Sequence, residues 1–266
     1  GPSISFGQGV NYENSYSFKL QKHFENYNFF NGSVPGHYPE MSICWLINNV
    51  NHFKPDIIIQ NLYDSYVLDL SSIDDLKKYC KSLCKKHNLE VTHSGFIKIK
   101  GNFYHYVKST LKKSSLIFYT WYFYEQHLFK KGKNQITKDE VEIEFNGDKN
   151  LNEKILVSSF KKYDEILKKI YPEIEIFFVL TPPSFVVSDN YRHRYSINLK
   201  DAKHHRQRYK YFSNIMKKNF QTIDAYSSLK RADTMKQTYY NIDVHFTIFG
   251  NQVVFELLKE FFEKKI

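Results

Sequence analysis

Cysteine is scarce: Cys44, Cys80 and Cys84 are the only three in 266 residues. That excludes a small disulfide-stapled scaffold, and an odd number of thiols fits a reducing compartment better than a secreted one. Apolar runs fall far short of the ~20 residues that span a bilayer, so no transmembrane segment is expected. Ten glycines and seven prolines leave no collagen-like or low-complexity tract. No repeat of fixed period occurs, and no Gly-rich phosphate loop of the Walker or dinucleotide type. No metal is expected either. Cys80, Cys84 and His87 have helical spacing, but the cysteines fall on an apolar stripe. Asp201 with His204 and His205 stands among Arg206, Arg208 and Lys210, which repel a cation.

What is abundant is positive charge and aromatic surface. The net charge is +10, and 21 Tyr and 23 Phe bring aromatics to 17%. Such a surface suits nucleic acid or a glycan, whose rings stack on aromatic faces. An AT-rich coding sequence produces the same bias towards Lys, Asn, Ile, Tyr and Phe, so charge alone selects no partner.

Periodicity is informative over most of the chain. Tyr16, Leu20 and Phe24 recur every four residues, which predicts a short amphipathic helix capped by Asn14 or Ser15. Phe29–Phe30 read as the end of a short strand, before a loop with Gly32, Pro35, Gly36 and Pro39. Residues 41–50 read as a helix, and Ile57–Ile59 as a strand buried on both faces. A helix is expected over 73–87, with Ser72 and Asp75 as its capping box. From about 90 to 150 the pattern loosens. Short alternating stretches (GFIKIKGN and DEVEIEFNGD) flank the aromatic, helical-looking SSLIFYTWYFYEQHLF. Regularity returns as a helix from Leu151 to Ile170, a strand over Ile174–Leu180, a helix over about 200–219, a short strand in FQTID, and a last helix with Val253, Val254, Leu257, Leu258, Phe261 and Phe262 on one stripe. Helices alternating with wholly apolar strands predict an α/β three-layer sandwich with a mainly parallel sheet. The expected organisation is one domain over 1–266, with a helical and β insertion or lid at about 67–150.

In such folds ligands sit at the carboxyl ends of the strands. Four segments are expected there: Gly1-Pro2-Ser3-Ile4-Ser5-Phe6-Gly7-Gln8-Gly9-Val10, Asn31-Gly32-Ser33-Val34-Pro35-Gly36, Gln60-Asn61-Leu62-Tyr63-Asp64-Ser65, and Asp243-Val244-His245 leading into the last helix. A serine, a flexible glycine, a polar amide region and an Asp/His pair form the set that acyl transfer requires.

These segments, in this order, resemble the SGNH (GDSL-type) hydrolase superfamily, most of all its esterase and carbohydrate O-acyltransferase-like branch. GPSISFGQGV, NSYSFKLQKHF and NGSVPG carry the likeness at the start. It resumes in PDIIIQNLYDS, YPEIEIFFVLTPPS and DVHFTIFGNQVVFELL, and does not cover 67–150. The resemblance implies a flavodoxin-like sheet, Ser3 as nucleophile, His245 as general base, and Asp243 as the carboxylate that orients it. It implies backbone N–H donors at Ser3 and Gly36 for the oxyanion. The family's third donor, an Asn side chain, aligns with Ser65, for which the Ser65 hydroxyl or Asn61 would have to substitute. The family's Gly-Asp-Ser reads Gly1-Pro2-Ser3 here.

Tyr191-Arg192-His193-Arg194-Tyr195 and Lys200–Lys210 follow the Pro182-Pro183 loop. They read either as a solvated helix face or as an anion-binding rim in which Arg192 and Arg194 contact a phosphate, uronate or sialate group. The expected activity is therefore a serine esterase or O-acyltransferase that moves an acyl group, acetyl by preference, on or off a carbohydrate, without metal or organic cofactor. The alternative is a non-catalytic glycan- or nucleic-acid-binding module on the same fold. A cytoplasmic location is expected, with a periplasmic or extracytoplasmic domain of a longer protein as the alternative.

Overall fold

A computed structural model describes residues 3–33, 39–63, 78–82, 89–91, 97–99, 149–195, 197–241 and 244–265. The chain divides into two compact units, one made of Gly1–Asp74 with Glu153–Ile266 and the other of Asp75–Asn152. In the second unit, residues 78–82 are helical, and β2 (Leu89–Val91) pairs antiparallel with β3 (Ile97–Ile99). The aromatic stretch and DEVEIEFNGD read above lie outside the described residues.

The first unit is mixed α/β, built around a small parallel sheet. Its strands are β1 (Ile57–Tyr63), β4 (Glu175–Thr181) and β5 (Thr222–Asp224), in the order β1-β4-β5. Ile58 pairs with Ile176 and Asn61 with Val179, while Val179 also pairs with Ile223. The apolar run of β4 is explained by its two covered faces. Phe177 meets Phe261 and Phe262 of α8 (Ile248–Glu263) at ring separations of 5.3 and 5.5 Å. Its neighbour Phe178 points the other way, to Phe160 at 5.1 Å and Tyr163 at 5.9 Å on α4 (Lys149–Ile170). Leu156, Phe160, Tyr163 and Leu167 share one face of α4 and are all buried, as the 3.6-residue period demands.

Around the sheet stand α1 (Ser3–Phe6), α2 (Tyr16–His23), α3 (Pro39–Phe53), α5 (Ser184–Val187), α6 (Leu199–Asn219) and α7 (Tyr226–Asp233). Ser15 is the cap of α2, its Oγ accepting from the Phe18 N–H. Asn198 caps α6 and Thr247 caps α8 in the same way, each satisfying one otherwise orphaned donor. The strand expected at Phe29–Phe30 is not formed. Asn31 accepts the Ser33 N–H and donates to the Ser5 carbonyl oxygen and Ser17 Oγ. That local bonding diverts the backbone from a ladder.

Among the described residues, no helix is long and apolar enough to cross a membrane. One close approach fixes the position of α8. A β-carbon on Gly250 would sit 2.0 Å from the Thr238 carbonyl oxygen, so only glycine lets the helix start against that backbone. Helix propensity alone would make Gly250→Ala stabilising by up to ~1 kcal/mol. The clash reverses the sign, and a loss of about 1–3 kcal/mol is expected in urea denaturation.

Candidate active site

Two segments far apart in the sequence meet at Ser3 and His245. Ser3 Oγ lies 2.8 Å from His245 Nε2, a hydrogen bond between residues 242 positions apart. Ser3 begins α1 and is partly buried, and the His245 residue is only 6% exposed. Such a pair has the reach a nucleophile and its base require.

His245 is held by a tight hairpin. The Tyr240 N–H donates to the His245 carbonyl oxygen at 3.1 Å, and the Thr247 N–H to the Thr238 carbonyl oxygen at 3.0 Å. Tyr239 and Phe246 face each other in an antiparallel bridge. Asp233, at the end of α7, fastens the base of this hairpin. Its Oδ1 accepts from the Thr238 N–H and Thr238 Oγ1, both at 2.9 Å, and from the Tyr191 hydroxyl. Tyr239 donates its hydroxyl hydrogen to the Pro182 carbonyl oxygen, which ties the hairpin to the loop after β4.

The serine side is fixed to the same hairpin. Gly9 has φ +96°, in the left-handed region that favours glycine. A β-carbon there would lie 3.1 Å from the Tyr240 ring and 3.7 Å from His245 Cβ. The Tyr240 hydroxyl donates to the Gly9 carbonyl oxygen at 2.9 Å. The Gly-x-Gly of the first motif therefore lets the loop after α1 run close against the hairpin that carries His245.

A buried polar chain joins the sheet to α2 and α8. Thr181 Oγ1 donates to Asn61 Oδ1 at 2.9 Å, and Asn61 Nδ2 reaches the Tyr16 hydroxyl at 3.5 Å. Asn61, 2% exposed, thus spends part of its amide on joining β1, β4 and α2. Asn251 of α8 accepts the Tyr16 N–H through Oδ1 and donates through Nδ2 to the Thr247 carbonyl oxygen. Asp243, Gly36 and Ser65 lie outside the described residues. Among the described residues no cluster of His, Cys, Asp and Glu could hold a metal ion.

No family model, curated protein or solved structure matches this chain.

In the basic segment, Arg206 is structural. It donates to the carbonyl oxygens of Val186 and Phe185 at 3.1 and 3.2 Å and pairs with Asp189, closing the C-terminal end of α5. Arg192 is half-buried, and among the described residues its Nε has no acceptor. Arg194 shares the short helical turn Asp189–Tyr195, and its side chain lies outside what the structure describes. Sequence reasoning missed Asp233 and Tyr240, and it read Tyr191 only as part of the basic segment. Tyr240 falls in TMKQTYYNIDVHFT, which has no period, so nothing there marks which polar groups pair.

Burial pushes the Tyr16 hydroxyl up to about 12, against the smaller opposing pull of its neighbours Ser5 and Asn61. Burial, with the Asp233 carboxylate second, pushes Tyr191 up to about 12 as well. The folded protein therefore keeps these protons where the unfolded chain, with tyrosine near 10, has lost them. Their contribution is complete below pH ~10 and is lost as pH rises towards 12, about 2–3 kcal/mol for Tyr16. Tyrosinate absorbance should show these two hydroxyls ionising together with alkaline unfolding rather than before it.

Proposed function

We propose that this chain is a serine-dependent acyl hydrolase or O-acyltransferase of the SGNH type, on a three-layer α/β sandwich with a flavodoxin-like parallel sheet. The observation that carries this reading is the 2.8 Å contact between Ser3 Oγ and His245 Nε2. With Nε2 as acceptor, His245 takes the serine proton while Oγ attacks the carbonyl carbon of an ester. The imidazolium then returns that proton to the leaving alcohol, leaving an acyl-Ser3. Water, deprotonated by the same Nε2, would release the acid. A sugar hydroxyl in its place would accept the acyl group.

In this reading Nδ1 carries the other ring proton, and Asp243 is the carboxylate that the resemblance assigns to it. The Ser3 and Gly36 amides are the proposed oxyanion donors. The substrate is proposed to be an acylated carbohydrate, with Arg192 and Arg194 at its acidic groups where it has any. No cofactor takes part in these steps.

Fluorophosphonate labelling tests the proposal, because only an activated serine reacts. Wild-type protein should be labelled at Ser3 and should hydrolyse an activated acetyl ester. Ser3→Ala should lose both, with a fall of ~10³-fold or more in kcat and an unchanged melting temperature. His245→Asn should fall comparably. Absence of labelling in folded wild-type protein would leave a binding module as the better reading.

A further inference from the structure

A cleft of about 770 Å3 opens beside the sheet, within the size range of small-ligand sites. One wall carries three nearly parallel aromatic rings. Phe30 stacks on Phe53 at 4.2 Å and on Trp45 at 5.9 Å, and Trp45 and Phe53 are 5.8 Å apart. The relative exposures of Phe30 and Phe53 are 56% and 43%, whereas that of Trp45 is 6%. Adjacent aromatic side chains this exposed mark a contact site rather than core.

The cleft is not an apolar slot. Gln21, Asn26 and Asn28 line it, and amides both donate and accept. The indole N–H of Trp45 is buried and has no acceptor among the described residues. Lys54 and Asp56 also line the cleft, so its charges oppose each other and favour neither sign of ligand. An acyl chain would leave the amides unsatisfied. An anionic ligand would meet Asp56.

We propose that this cleft binds a neutral oligosaccharide, whose C–H faces stack on Phe30 and Phe53 and whose hydroxyls bond the amides. This deepens the acyl-transfer reading and rests on it for the claim that the bound glycan is substrate. The connection to the reactive end is short. Ser5 lines the cleft two residues from Ser3, and Asn31, adjoining Phe30, donates to the Ser5 carbonyl oxygen at 3.1 Å. The competing occupant is an extended polypeptide. β1 residues Ile57–Asn61 border the cleft, and among the described residues β1 pairs with β4 alone.

The test is calorimetric titration of the Ser3→Ala protein with four neutral tetrasaccharides, β-linked chains of glucose, xylose, mannose and N-acetylglucosamine. At least one should bind saturably. Phe30→Ala and Phe53→Ala should each weaken it tenfold or more at an unchanged melting temperature, and Phe30→Trp should restore it to within about threefold, since stacking needs only an aromatic face. A uronate tetrasaccharide should bind no more tightly. No binding by any of the four overturns the proposal, as does binding that Phe30→Ala and Phe53→Ala leave intact. Concentration-dependent protection from hydrogen exchange of the Ile57, Ile59 and Asn61 amides, which alternate with those bonded to β4, without saccharide also overturns it, because a second chain would then occupy the cleft. The two readings fail separately. Ester hydrolysis without saccharide binding removes only this site, and saccharide binding without wild-type hydrolysis removes only the catalytic reading.

Discussion

The start of α8 against the backbone of Thr238 is the constraint from which the site follows. Gly250 permits that contact by having no side chain where the Thr238 carbonyl oxygen lies. Thr247, three residues earlier, both caps α8 and closes the hairpin by donating to the Gln237 carbonyl oxygen at 2.8 Å. The helix start and the hairpin are thus one unit, and His245 sits inside it. A displacement of α8 would carry His245 away from Ser3, since no long flexible segment separates them. In the proposed reading, a misplacement of ~1 Å would already cost on the order of 10²-fold in rate.

The second support is polar rather than apolar. Asn61, Thr181, Tyr16 and Asn251 link β1, β4, α2 and α8 through buried side chains. Buried polar groups cost more when left unpaired than they contribute when paired. Such a chain therefore acts less as a source of stability than as a selector of register. A slip of β1 by one residue would turn Asn61 out of the chain and leave the Thr181 hydroxyl without its amide acceptor. The Phe177 and Phe178 side chains hold β4 apolar on both faces, and apolar packing alone would tolerate such a slip more readily.

The regular elements were legible in the sequence because one face of each is apolar at a fixed period. Leu156, Phe160, Tyr163 and Leu167 announce α4, and the Val254, Leu258 and Phe262 stripe announces α8. Boundaries were less so: β1 extends to Tyr63 rather than Ile59, and α3 reaches Phe53 rather than Val50. Polar β1 residues Gln60 and Asn61 are buried through partners far along the chain, Tyr163 and Thr181, and periodicity holds no information about such pairing. The same reason hid Asp233. Its partners Tyr191 and Thr238 lie 42 and 5 positions away, and a single Asp after a short helix is ordinary surface until those hydroxyls are seen. Phe29 and Phe30 failed in the other direction. Two adjacent aromatics look like strand, but the Asn31 side chain takes the local hydrogen bonds and frees the Phe30 ring to stack on Trp45 and Phe53.

Ser3 and His245 could be paired on paper only through the order of the motifs, since 242 positions separate them. In the folded chain the pairing is carried by residues that bear no chemistry of their own. Gly9 lets the Tyr240 ring approach, and the Tyr240 hydroxyl then bonds the Gly9 carbonyl oxygen. Asn31 binds the backbone of Ser5 from the side of the aromatic cleft. The short helix that begins at Ser3 is therefore held from two directions, by the histidine hairpin and by the segment that carries Phe30. Whatever occupies the cleft bears on the second of these contacts. In the proposed reading, a glycan in the cleft would lie against the same segment that helps to hold this four-residue helix, which has little intrinsic stability of its own.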